Sequence, residues 1–235
     1  MDDARQAGKV AAARYAAGLV EDGMIVGLGS GSTAALFVQA LGARVRGAGA
    51  GLRVIGVPTS DATARLAQAE GIALATLEEY PRLDMDIDGA DAVDPALNLL
   101  KGLGGALLRE KIVASATARF VVIADESKVV GSLAESPLVP VEVVPFGWSQ
   151  TQVALEALGA AVTRRARRDD PDQLFITDGG HVICDCRFAD LSAPVALAAR
   201  VKALTGVVDH GLFIGMASVA VIGMADGTVR VMEKE

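Results

Sequence analysis

The chain is poor in the residues on which several chemistries depend. Of 235 residues, two are cysteine and two are histidine. Cys184 and Cys186 stand two apart in a strand-like run, so they share one face and lack the Cys-x-x-Cys spacing of a redox or zinc motif. They read as ordinary strand thiols. Two histidines are too few for the usual zinc donor sets. His210 reads as structural and His181, in a turn, as exposed. A zinc site is therefore not expected from these residues. Basic charge is also short: 22 Lys and Arg stand against 29 Asp and Glu, a net charge of -7. Phosphate backbones reward basic surfaces, so nucleic acid is not the expected partner, and the run "RRARR" at 164–168 reads as a solvated edge. A small anionic substrate stays open, because a local pocket can be positive on an acidic protein. No run near the ~20 residues of a membrane span is free of charges and loop-formers. The start, "MDDARQAGKV", lacks the basic-then-apolar order of a signal peptide. A soluble cytoplasmic protein with no membrane partner is therefore expected.

What the chain has is apolar mass and glycine. Hydrophobic residues make up 51% and glycines number 26, enough for a sizeable core in one large α/β domain or a domain and a half. The first part alternates helix and strand. "ARQAGKVAAARYAAGLV" is a helix ended by Asp22-Gly23, "MIVGLG" a strand, and "STAALFVQALGARV" a helix capped by Ser32 or Thr33. "GAGAG" at 47–51 is a loop, "LRVIGVP" a strand, and "SDATARLAQAEG" a helix with Ser60 or Asp61 as cap and Gly71 as stop. "IALAT" and "LDMDID" are strands, "GALLREKIVASA" a helix and "FVVIAD" a strand. That order predicts a mostly parallel sheet with helices on both faces.

From about residue 134 the texture changes. "SPLVPVEVVP" is strand-like, "SQTQVALEALG" helical, "LFITDGGHVICDCRF" two strands about a Gly-Gly turn, and "APVALAARVKAL" helical. This predicts a small α+β domain over 134–205. The strand-rich end, with a turn at Asp226-Gly227, is expected to return to the first sheet. The first domain would then comprise 1–133 and 206–235.

Four segments can carry chemistry. "GLGSGST", Gly27 to Thr33, joins a strand to a helix. Helix N-termini offer free N–H groups and a positive dipole end, and Ser30, Ser32 and Thr33 add hydroxyls, which suits a phosphate. It is neither a dinucleotide fingerprint, since residue 32 is Ser, nor a P-loop, which needs Lys before Ser/Thr. The bland reading is a tight βα turn. "DIDGADAVDP" crowds Asp86, Asp88, Asp91 and Asp94 at a strand end, the edge where open α/β sheets bind ligands. Those carboxylates can bind a metal, hold hydroxyls, move protons, or simply make turns. In "KGLGGALLREKIVA", Lys101 precedes Gly102, Gly104 and Gly105, and Glu110 lies on the following helix. A lysine can neutralise an oxyanion and a glutamate can act as a base; taken singly, each also reads as solvated. In "ADESKVV", Lys128 sits at the same ligand-binding edge or in an exposed loop.

Eight segments in this order resemble ribose-5-phosphate isomerases of the A type: "GLGSGSTA", "PTSDAT", "DGADAVDP", "KGLGGALLREKIVA", "ADESK", "LVPVEVVP", "TDGGHVICDC" and "GVVDHGLF". They span about residues 23 to 215. The resemblance implies a Rossmann-like αβα domain, a small ferredoxin-like domain and a homodimer or a dimer of dimers. It implies a metal-free aldose–ketose isomerase interconverting ribose 5-phosphate and ribulose 5-phosphate in the pentose phosphate pathway. By its pattern Glu110 is the base shuttling a proton between C1 and C2 through a cis-enediol, and Lys101 steadies the enediolate oxygen. Asp88 and Asp91 hold sugar hydroxyls and assist ring opening. Ser30, Gly31, Ser32, Thr33 and Lys128 bind substrate, phosphate included, with Gly89, Ala90, Gly102, Leu103 and Gly104 as further contacts.

Three departures stand out. Ser30 replaces a common Thr and keeps the hydroxyl, Ala92 replaces a usual acid, and Leu103 interrupts a glycine run. Leu at 103 is tolerated with its side chain turned away, and strained if the position needs positive φ. Two other readings compete. A non-catalytic sugar-phosphate sensor would need the anion cradle without Lys101 and Glu110, and room before residue 23 allows only one helix rather than a DNA-binding domain. A related deaminase would want a well-placed histidine; a CoA transferase is a further alternative.

Overall fold

The structure is a computed structural model that describes residues 2–47, 51–136 and 138–234. The centre of the expected 47–51 loop and Pro137 lie outside the described residues. Among the described residues no helix is long and apolar enough to cross a membrane.

The chain runs α1 (Asp2–Gly18), β1 (Ile25–Leu28), α2 (Ser32–Val45), β2 (Ile55–Pro58), α3 (Asp61–Ala69), β3 (Ala73–Leu74), β4 (Met85–Gly89), β5 (Ala92–Val93), β6 (Leu99–Leu100), α4 (Leu107–Ser115) and β7 (Phe120–Asp125). It continues through β8 (Leu138–Val143), α5 (Trp148–Ala157), β9 (Ala160–Arg164), β10 (Val182–Phe188), α6 (Pro194–Lys202), β11 (Val207–His210), β12 (Leu212–Phe213), β13 (Val219–Gly223) and β14 (Val229–Glu233). Seven strands form one sheet in the order β14-β13-β7-β4-β1-β2-β3. It is parallel except for the edge pair β13–β14. Strand order reverses between β1 and β4, so their carboxyl ends open the crevice where such sheets take ligands.

Alternation along β4 explains the buried acids. Met85 and Ile87 join the core under α1 and α2, with Val26, Leu28, Phe37, Val121 and Ile123. Their neighbours Asp86 and Asp88 therefore point to the other face, which α4 covers. Both are fully buried. The core on that side gathers Phe120, Val122, Ala114, Leu99 and Phe213.

Several local expectations are corrected. α1 stops at Gly18 rather than at Asp22-Gly23; the Asp22 carboxylate instead accepts the Arg53 N–H at 2.8 Å. Neither Ser32 nor Thr33 caps α2: Ser32 is its first residue, Gly31 at φ 100° is the N-cap, and no side chain caps it. α3 behaves as expected, with Ser60 accepting from the Thr63 N–H and Gly71 at φ 77° after the C-cap Glu70.

The second sheet is antiparallel, in the order β11-β8-β10-β9, with α5 and α6 supplying Leu155, Leu197 and Val201 to its core. Cys184 and Cys186 face that core. Of "LFITDGGHVICDCRF" only the second limb is a strand; the first contributes isolated bridges, Ala166 to Leu174 and Ile176 to Val182. The expected two-strand hairpin is replaced by β9 pairing with β10. β11 also belongs to this sheet through β8, so 207–210 align with the segment begun at 134, while β13 and β14 return to the first sheet. The short strands β5, β6 and β12 form a third sheet. They lead directly into Lys101, whose N–H donates to the Gly211 carbonyl at 2.8 Å.

Candidate active site

A cavity of about 500 Å³ opens at the β1/β4 crevice. Ser30, Gly31, Ser32, Thr33, Gly89, Ala90, Asp91, Lys101, Gly102, Gly104, Glu110 and Lys128 all line it. Asp88 and Leu103 do not line it; Asp88 lies just behind the wall, against Lys101.

Lys101 is the centre of the charged wall. It is 2% exposed, with Nζ 2.9 Å from Asp88 Oδ2 and 3.4 Å from Glu110 Oε2. Nζ also donates to the Gly89 carbonyl and lies 5.5 Å from the Phe213 ring centroid. Burial pulls the ammonium's pKa down, but Asp88, Glu110 and Asp91 together outweigh it and hold Lys101 above its ordinary value. Asp88 Oδ1 accepts the N–H groups of Ser30 (3.0 Å) and Gly89 (2.6 Å). Burial lifts its carboxyl nonetheless, against the charge of Lys101 and those donors.

Glu110, in the first turn of α4, is 5% exposed. Burial first, then the charge of Asp88, pushes it up to about 8 despite Lys101. This is a carboxyl poised near neutrality beside a permanent cation, which suits a group that must take and return a proton.

The four aspartates of the motif separate by role. Asp91 lines the cavity, and Asp88 lies behind its wall, paired with Lys101. Asp94 is a turn-maker, accepting from the N–H groups of Ala96 and Asn98 at 2.9 Å each. Asp86 is buried beneath the site with neither oxygen hydrogen-bonded. Burial, with Asp88 adding, pushes it well above the carboxylate range. The glycines of "GLG" answer to these acids: a Cβ on Gly27 would meet Asp86 Oδ1 at 2.4 Å, and one on Gly29 would meet Asp88 Oδ1 at 2.2 Å.

The glycine loop is built as its sequence suggests, with one clarification. Gly102 carries φ 98°, and a Cβ there would also strike Leu107. Leu103 has no positive φ; Leu97 is the non-glycine that does, among the described residues. Leu103 turns its side chain outward at 37% exposure and gives its N–H to Asp91 Oδ2 at 2.9 Å. The departure from an all-glycine run is therefore accommodated without backbone strain.

The opposite wall is cationic and hydroxylic. The uncapped N-terminus of α2 faces it, and Lys9 of α1 reaches Ser32 Oγ at 3.0 Å. Lys128 lines the same space, in a 3₁₀ turn after β7. The Ser30 hydroxyl bonds to those of Thr59 (2.7 Å) and Ser60 (2.8 Å), so it braces the loop. Lys9, Arg65, Phe175 and Asp178 line the cavity and were not anticipated. No local pattern marks Lys9, because its reach to Ser32 depends on how α1 packs.

Both histidines have structural surroundings. Burial, with the Lys111 charge adding, pushes His210 down to about 4. His181, expected to be exposed, is half-buried, with Nδ1 2.9 Å from Glu142 Oε1. The basic run is corrected too: the Arg165 side chain is largely buried against Asp185, although Arg167 and Asp169 form an exposed pair as expected.

Known proteins resemble this chain over most of its length. The model of the family described as ribose 5-phosphate isomerase A (phosphoriboisomerase A) matches residues 55–227. A protein of Gloeobacter violaceus named ribose-5-phosphate isomerase A is 55% identical over 225 residues, 95% of each chain. One of the same name from Synechococcus sp. (strain JA-3-3Ab) is 53% identical, covering 93% of this chain and 94% of that one. Among solved structures, a ribose 5-phosphate isomerase from Plasmodium falciparum superposes with a TM-score of 0.90 at 36% identity over 100% of both chains. A D-ribose-5-phosphate isomerase in complex with phospho-erythronic acid gives 0.91 at 36% identity, over 96% of this chain and 97% of that one.

Proposed function

The chain belongs to the ribose 5-phosphate isomerase A family, and on that premise we propose that it interconverts ribose 5-phosphate and ribulose 5-phosphate, as in the pentose phosphate pathway, with Glu110 as the base. The observation that carries this reading is the Lys101 ammonium held between Asp88 and Glu110 in the wall of a cavity. A proton shift beside a carbonyl needs one base and one electrophile, and these are the two groups placed for it.

The substrate's phosphate belongs in the corner made by the α2 N-terminus, Ser32, Thr33, Lys9 and Lys128. A helix N-terminus without a side-chain cap presents N–H donors to an anion, and the lysines neutralise it. The sugar end then reaches Lys101 and Glu110. Phospho-erythronic acid, bound in a structural relative, carries a phosphate and a carboxylate, the pairing that a cavity with these two corners accommodates.

In the forward direction ionised Glu110 takes the proton from C2 of the open-chain aldose. The electron pair moves into a C1–C2 double bond and the carbonyl oxygen becomes an enediolate. Lys101 stabilises that oxygen by charge, in a site where solvent screening is weak. Protonated Glu110 then returns the proton to C1, and the C2 hydroxyl proton passes to the O1 oxyanion, leaving a C1 hydroxyl and the C2 ketone. Asp88 keeps Lys101 aimed. In this reading Asp91, half-buried and lining the cavity, holds a sugar hydroxyl and assists ring opening.

The test is conversion of ribose 5-phosphate to ribulose 5-phosphate by pure protein in EDTA. Turnover is expected, and none from folded protein overturns the reading. Glu110→Gln should lose about a thousandfold or more in kcat while still binding substrate. A rate near wild type would place the base elsewhere. A sugar-phosphate sensor has no use for the buried Lys101–Glu110 pair, and the same assay separates it from the isomerase.

A further inference from the structure

The basic run 164–168 contains one side chain that faces the catalytic loop. Arg165 follows β9, and Asp185 of β10 fixes its guanidinium: Nε donates to Oδ2 at 3.0 Å and Nη2 to Oδ1. A planar guanidinium held on two edges by a carboxylate has little freedom left. Its remaining nitrogen, Nη1, donates to the Gly102 carbonyl at 2.7 Å and to the Leu103 carbonyl at 3.3 Å. These are the two residues directly after Lys101.

The same stretch is held elsewhere. Asp91 takes the Leu103 N–H from the other side of the peptide. The Arg165 carbonyl accepts the Phe175 N–H at 2.9 Å, and the Phe175 ring packs so closely on Gly105 that a Cβ there would lie 2.4 Å from it. The loop thus takes its shape from the four-stranded sheet. Its own sequence supplies little stiffness, since three of its four residues are glycine.

We propose that Arg165, oriented by Asp185, is a positioning residue for the isomerisation: it holds the Gly102 and Leu103 carbonyls so that the loop presents Lys101 to the reacting carbonyl. This rests on the isomerase reading above. The physical reason is that a displacement of about 1 Å at a reacting group costs on the order of a hundredfold in rate. The phosphate corner is built from α1, α2 and Lys128, and the hydrogen bonds of the Arg165 side chain go to Asp185, Gly102 and Leu103 instead. Losing the guanidinium should therefore cost kcat and spare KM.

The experiment compares wild type, Arg165→Ala, Arg165→Lys and Asp185→Asn in ribose 5-phosphate isomerisation, with thermal unfolding of each. Arg165→Ala is expected to lose about 10- to 100-fold in kcat with KM within about threefold, and added guanidinium ion at non-denaturing concentration should restore part of kcat where ammonium does not. Arg165→Lys, which cannot hold Asp185 and both carbonyls together, should show the same selective loss. Asp185→Asn should show a smaller one. If Arg165→Ala does not fold, the latter two variants decide. The inference is overturned if the folded Arg165 variants keep kcat within about threefold of wild type. It is also overturned if KM rises as much as kcat falls with no rescue, the mark of general damage. A wild-type protein that converts no substrate overturns the functional reading, and this inference with it.

Discussion

In the proposed reaction Glu110 must be ionised to accept a proton from carbon, and its burial works against that. With the carboxyl pushed up to about 8, the base form fills as pH rises through that value. kcat/KM for ribose 5-phosphate is expected to climb through an apparent pKa near 8, since that profile reports the free enzyme; a profile already flat from pH 6 upward would contradict it. The same shift has a consequence for stability. A carboxyl whose folded pKa exceeds its unfolded one binds more protons when folded, so the contribution of Glu110 to stability is fully present below about 4.5 and is lost as pH rises through about 8. Glu110→Gln removes that dependence. Its melting temperature should gain on wild type between pH 5 and pH 8, and equal pH dependence in the two proteins would refute the assignment. The acids and lysine of the site were legible from residue type and order. Their ionisation was not: Asp86 and Asp88 are two letters apart, yet one accepts two N–H groups and pairs with Lys101 while the other has no hydrogen bond.

At the scale of elements, the segment from Gly102 through α4 was readable as loop then helix. What tertiary contact adds is its anchoring. Lys111, next to Glu110, pairs with Asp209 and donates to the His210 and Leu212 carbonyls, tying α4 to β11 and β12. Within the loop the glycines are unequal. Gly102→Ala faces both a positive φ and the Leu107 side chain, and should cost about 1–3 kcal/mol by overpacking alone with a clear fall in kcat. Leu103→Gly should leave kcat within about threefold, because the hydrogen bonds that hold the loop use the Leu103 backbone and its side chain turns outward. Denaturant unfolding and steady-state kinetics check both; equal effects at 102 and 103 would contradict the backbone assignment. The β5, β6 and β12 strands escaped sequence reading because two-residue strands carry no periodicity. β9 escaped because its last residue opens a run of arginines that reads as surface.

Across the whole molecule, the corner proposed for the phosphate depends on one close packing contact. α1 lies on the sheet where Gly8 meets Gly223, and a Cβ on Gly8 would sit 2.6 Å from the Gly223 carbonyl oxygen. The next residue is Lys9, which reaches Ser32. Gly8→Ala should lift this helix, lower stability by about 1–3 kcal/mol and raise KM more than it lowers kcat, by withdrawing Lys9. Unchanged KM in a folded variant would show that Lys9 does not depend on that contact. The sequence by itself determined the alternation of helices and strands, the parallel first sheet, the turn glycines and the chemical kinds of residue at the crevice. These follow from local periodicity, turn chemistry and side-chain type. The tertiary structure decided which carboxyls are buried, that Leu103 is unstrained, that β11 joins the second sheet, and that Lys9 and Arg165 reach the site at all. Burial and hydrogen-bond partners come from segments far apart in the chain, and nothing local to a residue specifies them.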